Sequence, residues 1–96
     1  MNPKLKDDSV NLLFDAVLTL KTVEECYAFF EDLCTVHEIK SMAQRMSVAQ
    51  MLDKKHLYND ISKETGASTA TISRVKRSLA YGSDGYALAL ERMKNK

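Results

Sequence analysis

The sequence is poor in the residues that interrupt helices. Its 96 residues include one proline, three glycines and no tryptophan, and 45% of them are hydrophobic. Proline and glycine destabilise helix interiors, so their scarcity beside abundant Leu, Met, Ala, Lys and Glu favours an all-α fold over a sheet or a disordered chain. The length predicts a single domain, residues 1–96, near the lower limit for a self-sufficient core.

Long apolar runs are also lacking. No stretch approaches the roughly 18 residues of a membrane span, and no signal-peptide pattern opens the chain, so we expect a cytoplasmic protein with no membrane partner. Cys26 and Cys34 would lie about 12 Å apart along one helix, too far for a disulfide between them. We interpret both as reduced packing residues. A metal site at Cys34 and His37 would need a second Cys/His pair, so we expect no metal and no cofactor.

The motifs of catalysis are absent as well. His37 and His56 lack the partners that a nucleophile–base pair or an H-E-x-x-H zinc site requires, and the sequence has no glycine-rich phosphate loop. No pair of carboxylates lies in an evident apolar pocket. We therefore expect a protein that is not an enzyme.

Charge is distributed unevenly along the chain, although its net value is only +1. Residues 1–35 carry three basic and seven acidic side chains, a net of −4, whereas residues 36–96 carry eleven basic and six acidic side chains, a net of +5. Phosphate neutralisation supplies most sequence-independent affinity for DNA. The positive half is therefore the candidate for nucleic-acid binding, although solvated helix faces also produce such an imbalance.

Three amphipathic helices are predicted over residues 8–53. The first runs from about Asp8 to Leu20, the second begins at Val23 after a capping signal, and the third follows the capping signal Thr35-x-x-Glu38. The third carries an apolar stripe formed by Ile39, Met42, Ala43, Met46, Ala49 and Leu52. These stripes exceed what two short helices need for support, so we expect residues 8–53 to form the dimerisation core of a homodimer.

The next segment, residues 58–80, has the pattern of a helix-turn-helix. A fourth helix is predicted from Tyr58 to about Thr65 and a fifth from Thr69 to about Ala80, with Ser68 as the N-cap. Gly66 would supply the left-handed backbone of the turn. The residues expected to face one another across the motif are Ile61, Ala67, Ile72, Val75 and Leu79. A sixth helix is predicted over residues 83–95, with Tyr86, Leu90 and Met93 on its apolar side.

The start of the fifth helix is the predicted DNA-reading surface. Thr69, Ala70 and Ser73 are small side chains placed to approach base edges in the major groove. The phosphate contacts that fix the register are predicted at Ser68, Arg74, Lys76 and Arg77. A symmetric dimer would place two such helices in successive major grooves, about 34 to 36 Å apart, and read a near-palindromic duplex operator.

Two other functions fit parts of the pattern. A helical adaptor that binds other proteins would use the same hairpin for packing, with its Arg and Lys side chains solvated. Binding of RNA or single-stranded DNA is less consistent with the sequence, because the motif offers few aromatic residues for base stacking beyond Tyr58 and Tyr81.

The motif also resembles a known family. Thr35-x-x-Glu38, Arg45 and the run ETGASTATISRVKRSL closely resemble the Trp repressor family, in particular its Trp-repressor-like YerC/YecD branch. The resemblance implies an intertwined, all-helical homodimer of six helices per chain that represses transcription, with the fourth and fifth helices reading operator DNA. It places Thr69, Ala70 and Ser73 at base-contact positions.

The resemblance also implies an effector pocket. Tryptophan-binding members hold the amino acid with two arginines and a threonine, which match Arg45, Arg74 and Thr35. Those members have glycine after the second arginine, where this chain has Val75, whose branched side chain would fill the space of the indole. We therefore predict a regulator that does not respond to tryptophan, and leave open whether another small molecule binds.

Overall fold

Six α-helices joined by short turns make up the described part of the protein. The structure, a computed structural model, describes residues 2–95. The helices are α1 (Asp8–Val17), α2 (Val23–Leu33), α3 (Val36–Asp53), α4 (Tyr58–Thr65), α5 (Thr69–Tyr81) and α6 (Gly85–Lys94). The predicted all-α fold is confirmed, and no strand occurs between residues 2 and 95. None of these helices is both long and apolar enough to cross a membrane.

Polar side chains fix where α1 and α3 begin. Asp7 accepts a hydrogen bond from the Val10 N–H at 2.8 Å. Before α3, the Thr35 hydroxyl accepts from the Glu38 N–H at 3.1 Å and the Glu38 carboxylate accepts from the Thr35 N–H at 2.8 Å, which is the predicted capping box. The Thr35 hydrogen bonds lower the pKa of Glu38.

The first helix is shorter than predicted, because it ends at Val17 and not at Leu20. The chain tightens after this point: the N–H groups of Thr19 and Leu20 donate to the carbonyls three residues earlier, at 3.1 Å each. The Thr19 hydroxyl also donates to the Ala16 carbonyl. A last turn of this type satisfies terminal carbonyls and ends the helix. The spacing of apolar residues does not predict where this change in hydrogen bonding occurs.

The chain divides into two compact units, residues 1–39 and 40–96. In the first unit, none of the residues from 2 to 39 is buried. Several large apolar side chains there are well exposed, namely Leu12, Phe14, Leu18, Val23, Tyr27 and Val36. The predicted single domain, with a dimerisation core over residues 8–53, stays a prediction.

The second unit contains the hydrophobic core. Its buried residues are Val48, Ala49, Ile61, Ala67, Ile72, Val75 and Leu90. The predicted packing of the helix-turn-helix is thereby confirmed at four positions, and Leu79 packs half-buried against the same core. In α6, Leu90 is buried as predicted, whereas Met93 is half exposed.

Two predictions in this unit are wrong in detail. Val48 is fully buried although it lies outside the predicted stripe of α3, whereas Met42 and Ala43 of that stripe are exposed. The end of α3 therefore packs through a face rotated toward Val48. The sixth helix begins at Gly85 and not at residue 83, because Asp84, at φ +64°, turns the chain just before it.

Candidate nucleic-acid interface

Local hydrogen bonds fix the turn between α4 and α5. Gly66 ends α4 with φ +72°, the predicted left-handed conformation, and its N–H donates to the Ser62 carbonyl at 2.8 Å. The Thr65 hydroxyl donates to the Ile61 carbonyl at 2.7 Å and accepts from the Ala67 N–H at 3.1 Å. The Ser62 hydroxyl donates to the Ala67 carbonyl at 3.1 Å. The turn is therefore closed by its own side chains and by the buried Ala67.

A residue of α3 also contacts this turn. The side-chain amide of Gln44 donates to the Thr65 carbonyl at 3.1 Å, in a partly buried position. Carbonyls at a helix C-terminus lack intrahelical partners, so this bond satisfies a group that would otherwise need water. Sequence reasoning missed Gln44, because a polar residue inside an amphipathic helix carries no signal for a partner 21 positions later.

Ser68 begins the fifth helix, as predicted. Its hydroxyl oxygen accepts from the Thr71 N–H at 3.1 Å, and the same hydroxyl donates to the Thr71 hydroxyl oxygen at 3.1 Å. A serine hydroxyl has one proton to donate. A side-chain contact from Ser68 to a phosphate would therefore replace its bond to Thr71.

The fifth helix divides into a buried and an exposed face. Ile72 and Val75 are each only 1% exposed and join the core. The seven predicted contact residues are all exposed, namely Ser68, Thr69, Ala70, Ser73, Arg74, Lys76 and Arg77. At about 100° per residue, Thr69, Ala70, Ser73 and Arg77 fall within one arc of about 100°, opposite the buried pair. The structure thus brings the three small residues and one arginine onto a single surface.

The cations of this helix differ in their surroundings. The Lys76 ammonium lies 5.6 Å from the centre of the Tyr58 ring, a cation–π contact with α4. No carboxylate within residues 2–95 forms an ion pair with Arg74, Lys76 or Arg77, and α5 itself contains no acidic residue. The exposed face of α5 is therefore positive and uncompensated by local carboxylates, with Lys76 turned toward α4.

Elsewhere in the second unit, one positive charge is paired. The Lys94 ammonium and the Asp53 carboxylate are 2.9 Å apart, joining the ends of α6 and α3. This hydrogen bond and the charge of Asp53 raise the pKa of Lys94. Because both side chains remain exposed to solvent, Lys94 at 60% and Asp53 at 34%, the pair contributes little to stability.

The candidate effector residues have different surroundings. Thr35 belongs to the first unit, where both its hydroxyl and its N–H serve the capping box of α3. In the second unit, Arg45 is half-buried, Arg74 is exposed and Val75 is buried. Val75 packs into the core of the motif, as predicted, and leaves no exposed surface for a ligand. The assignment of these four residues to an effector pocket stays a prediction.

These features define a helix-turn-helix protein, a fold of DNA-binding regulators. The chain belongs to the Trp repressor family, because the family model described as Trp repressor protein matches residues 8–94.

Individual relatives agree with this assignment. The chain is 57% identical over 91 residues to the uncharacterized protein YerC of Bacillus subtilis (strain 168), covering 95% of this chain and 88% of YerC. A crystal structure assigned as a Trp repressor from Staphylococcus aureus superposes with a TM-score of 0.94 at 54% identity, covering 100% of this chain and 97% of the other. A TrpR-like protein from Eubacterium eligens ATCC 27750 gives a TM-score of 0.94 at 56% identity, covering 97% and 96%. The similarity therefore extends over the whole chain.

Proposed function

We propose that the protein is a sequence-specific transcriptional regulator, acting as a repressor, that binds a near-palindromic duplex operator as a homodimer and does not respond to tryptophan. The observation that carries this proposal is the exposed face of α5. Small side chains at Thr69, Ala70 and Ser73 allow close approach to bases, and unpaired cations flank them. Small side chains with cations beside them are what contact with base edges and phosphates in a DNA groove requires, whereas solvation alone does not require this arrangement.

The small side chains of Thr69, Ala70 and Ser73 determine what kind of sequence specificity to expect. Hydroxyl and methyl groups contact thymine methyls and base edges, but they discriminate less than a bidentate arginine. Water-mediated contacts and the sequence-dependent shape of the operator would then contribute to recognition. Arg74 and Arg77 would hold the phosphates and fix the register of α5.

The first unit supports the homodimer. Its helices are amphipathic, yet none of its described residues, 2–39, is buried, and Leu18 is 82% exposed. Burying a large apolar side chain contributes roughly 1.5 to 3 kcal/mol. A second copy of the chain offers a matching apolar surface, and two-fold symmetry would pair the two recognition helices.

The burial of Val75 supports the absence of a tryptophan response. Its side chain fills the position beside Arg74 and packs with the core of the motif. Space for an indole at this point would require repacking the recognition helix itself. Purified protein titrated with tryptophan in a calorimeter should therefore give no binding heat, and saturable binding would refute this part of the proposal.

Selection of bound fragments from random duplex DNA, with and without tryptophan, tests the proposal as a whole. We expect enrichment of one near-palindromic sequence that is the same in both conditions. The exposed apolar residues of the first unit also fit the alternative function, a helical protein-interaction adaptor without specific DNA binding. Absence of enrichment would refute the regulator and favour the adaptor.

Removal of two cations tests whether the exposed face of α5 contacts DNA. Arg74→Ala combined with Arg77→Ala should weaken binding to the enriched duplex and reduce the slope of log affinity against log salt by about 3.6, since the dimer loses four phosphate contacts and each contributes roughly 0.9. Lys4→Ala combined with Lys6→Ala removes the same charge from an exposed segment before α1. Equal slopes for the two double variants would rule out this surface.

A further inference from the structure

We infer that Gln44 is a positioning residue for DNA recognition: from α3, it holds the turn of the helix-turn-helix and so sets the orientation of α5. The inference rests on the proposed DNA-binding function and adds to it a residue outside the contact surface. Gln44 belongs to α3 and is not one of the predicted DNA contacts on α5. Its side chain would act on α5 through its hydrogen bond to the backbone of the turn.

The contact reaches the turn backbone directly. The Gln44 amide nitrogen is 3.1 Å from the Thr65 carbonyl oxygen, in a half-buried position. The same nitrogen would lie 3.9 Å from a Cβ atom built on Gly66, in ordinary van der Waals contact. The amide thus contacts the last residue of α4 and lies beside the space that a side chain at position 66 would occupy.

The Gln44 hydrogen bond comes from a side chain on another helix, whereas the other side-chain hydrogen bonds of the turn come from the turn itself. The side-chain bonds of Ser62 and Thr65 join residues 61–67 to one another. They fix the internal shape of the turn but leave its attachment to α3 to packing and to Gln44, which lies 21 positions earlier. Since α5 begins only four residues after Thr65, a displacement of this carbonyl is carried to the start of α5.

The required chemistry is that of a hydrogen-bond donor. The glutamine amide donates to a carbonyl at the C-terminal end of α4, which carries the negative end of the helix dipole. A carboxylate at position 44 could only accept, and it would repel the carbonyl oxygen. Protonation of that carboxyl would restore an O–H donor, so the defect of Gln44→Glu should be reversed by acid.

A second glutamine provides a matched control. Gln50 lies on the same helix and lines the same groove between α3 and α4, but its side chain forms no hydrogen bond with any of residues 2–95. The charged residues lining this groove are Lys40 of α3 and Glu64 of α4. Gln44→Glu and Gln50→Glu therefore add the same charge to one groove, and only the first loses the bond to the turn.

The test measures affinity for the duplex enriched by the wild-type protein. Gln44→Met should weaken binding about 25-fold relative to Gln50→Met, because the dimer loses one neutral hydrogen bond in each chain, worth about fivefold apiece, with an unchanged salt slope. Gln44→Glu should bind more weakly than Gln50→Glu at neutral pH, and this difference in affinity should narrow as the pH falls through the ordinary glutamate pKa of about 4.3. A difference in affinity between Gln44→Glu and Gln50→Glu that does not change with pH, or equal affinities at every pH, would overturn the inference.

Hydrogen exchange separates this inference from the proposed function. The Gly66 and Ala67 N–H groups are bonded within the turn, so their exchange should accelerate in Gln44→Met but not in Gln50→Met. If the wild-type chain bound no duplex, the proposed function would fail while this measurement still tested the attachment of the turn. Unchanged exchange in Gln44→Met would overturn the positioning role whether or not DNA is bound.

Discussion

Replacement of Gly66 by alanine isolates the cost of the left-handed backbone in the turn. At φ +72°, an added Cβ would meet the Gln44 amide nitrogen at 3.9 Å and no closer heavy atom beyond its chain neighbours. Space is therefore available, and the penalty comes from the backbone alone. A non-glycine residue in this conformation costs about 1 to 2 kcal/mol, offset by about 0.4 to 1 kcal/mol because alanine restricts the unfolded chain.

The expected net loss in the free energy of unfolding is thus between about 0 and 1.6 kcal/mol. Gly85→Ala is the control, because that glycine lies in α6 and an added Cβ meets nothing within 4 Å. Alanine is a better helix former than glycine, so this variant should gain up to about 1 kcal/mol. The same chemical change is therefore predicted to have opposite signs at the two positions.

Urea unfolding of the full chain, followed by circular dichroism at one fixed protein concentration, measures both changes. The concentration must be equal because association contributes to the apparent stability of a dimer. Gly66→Asn should lie between wild type and Gly66→Ala, since asparagine tolerates the left-handed region. A Gly66→Ala variant as stable as Gly85→Ala would refute the assignment of strain to this turn.

Three further predictions concern the core, acid stability and dimerisation. Ile72→Ala should lower the free energy of unfolding by about 2 to 5 kcal/mol, since a fully buried side chain is removed from the core; a urea midpoint equal to that of wild type would contradict it. The lowered pKa of Glu38 contributes stability that is present above the ordinary glutamate pKa and lost as the pH falls through the lowered value. Glu38→Gln should therefore flatten the loss of helix in acid followed by circular dichroism, and an unaltered pH profile would count against the capping role. Phe14→Lys should shift light-scattering mass toward the monomer, because it places a charge on an exposed apolar surface, whereas Asn11→Lys on the same helix should not; identical masses would argue against α1 as an interface.

The helix-turn-helix was the most predictable part of the fold. Gly66 and Ser68 act locally, since a left-handed residue ends α4 and a hydroxyl caps α5. Ile72 and Val75 repeat at helical spacing, so their shared burial follows from periodicity. Each of these signals lies within a few residues of the structure that it determines.

The contacts made over longer distances were not predictable in the same way. Val48 is buried because of how the end of α3 meets the motif, and its apolar side chain alone did not distinguish it from the exposed Met42. Gln44 has a partner on another helix. The orientation of Lys76 depends on the Tyr58 ring beneath it. Each of these depends on the packing of separate helices, which a pattern within one helix does not encode.

Val75 connects the packing of the motif with the way the proposed regulator would be controlled. The helix that would present Thr69 to DNA uses Ile72 and Val75 to complete the core, so a ligand that displaced Val75 would also disturb the proposed DNA-binding surface. Without such a ligand, operator occupancy is set by the concentration of the dimer. Below the dissociation constant of the dimer, occupancy should then rise with the square of the chain concentration, because two chains must associate before both recognition helices can bind. The exposed apolar residues of the first unit would thus control DNA binding as directly as the contact residues of α5.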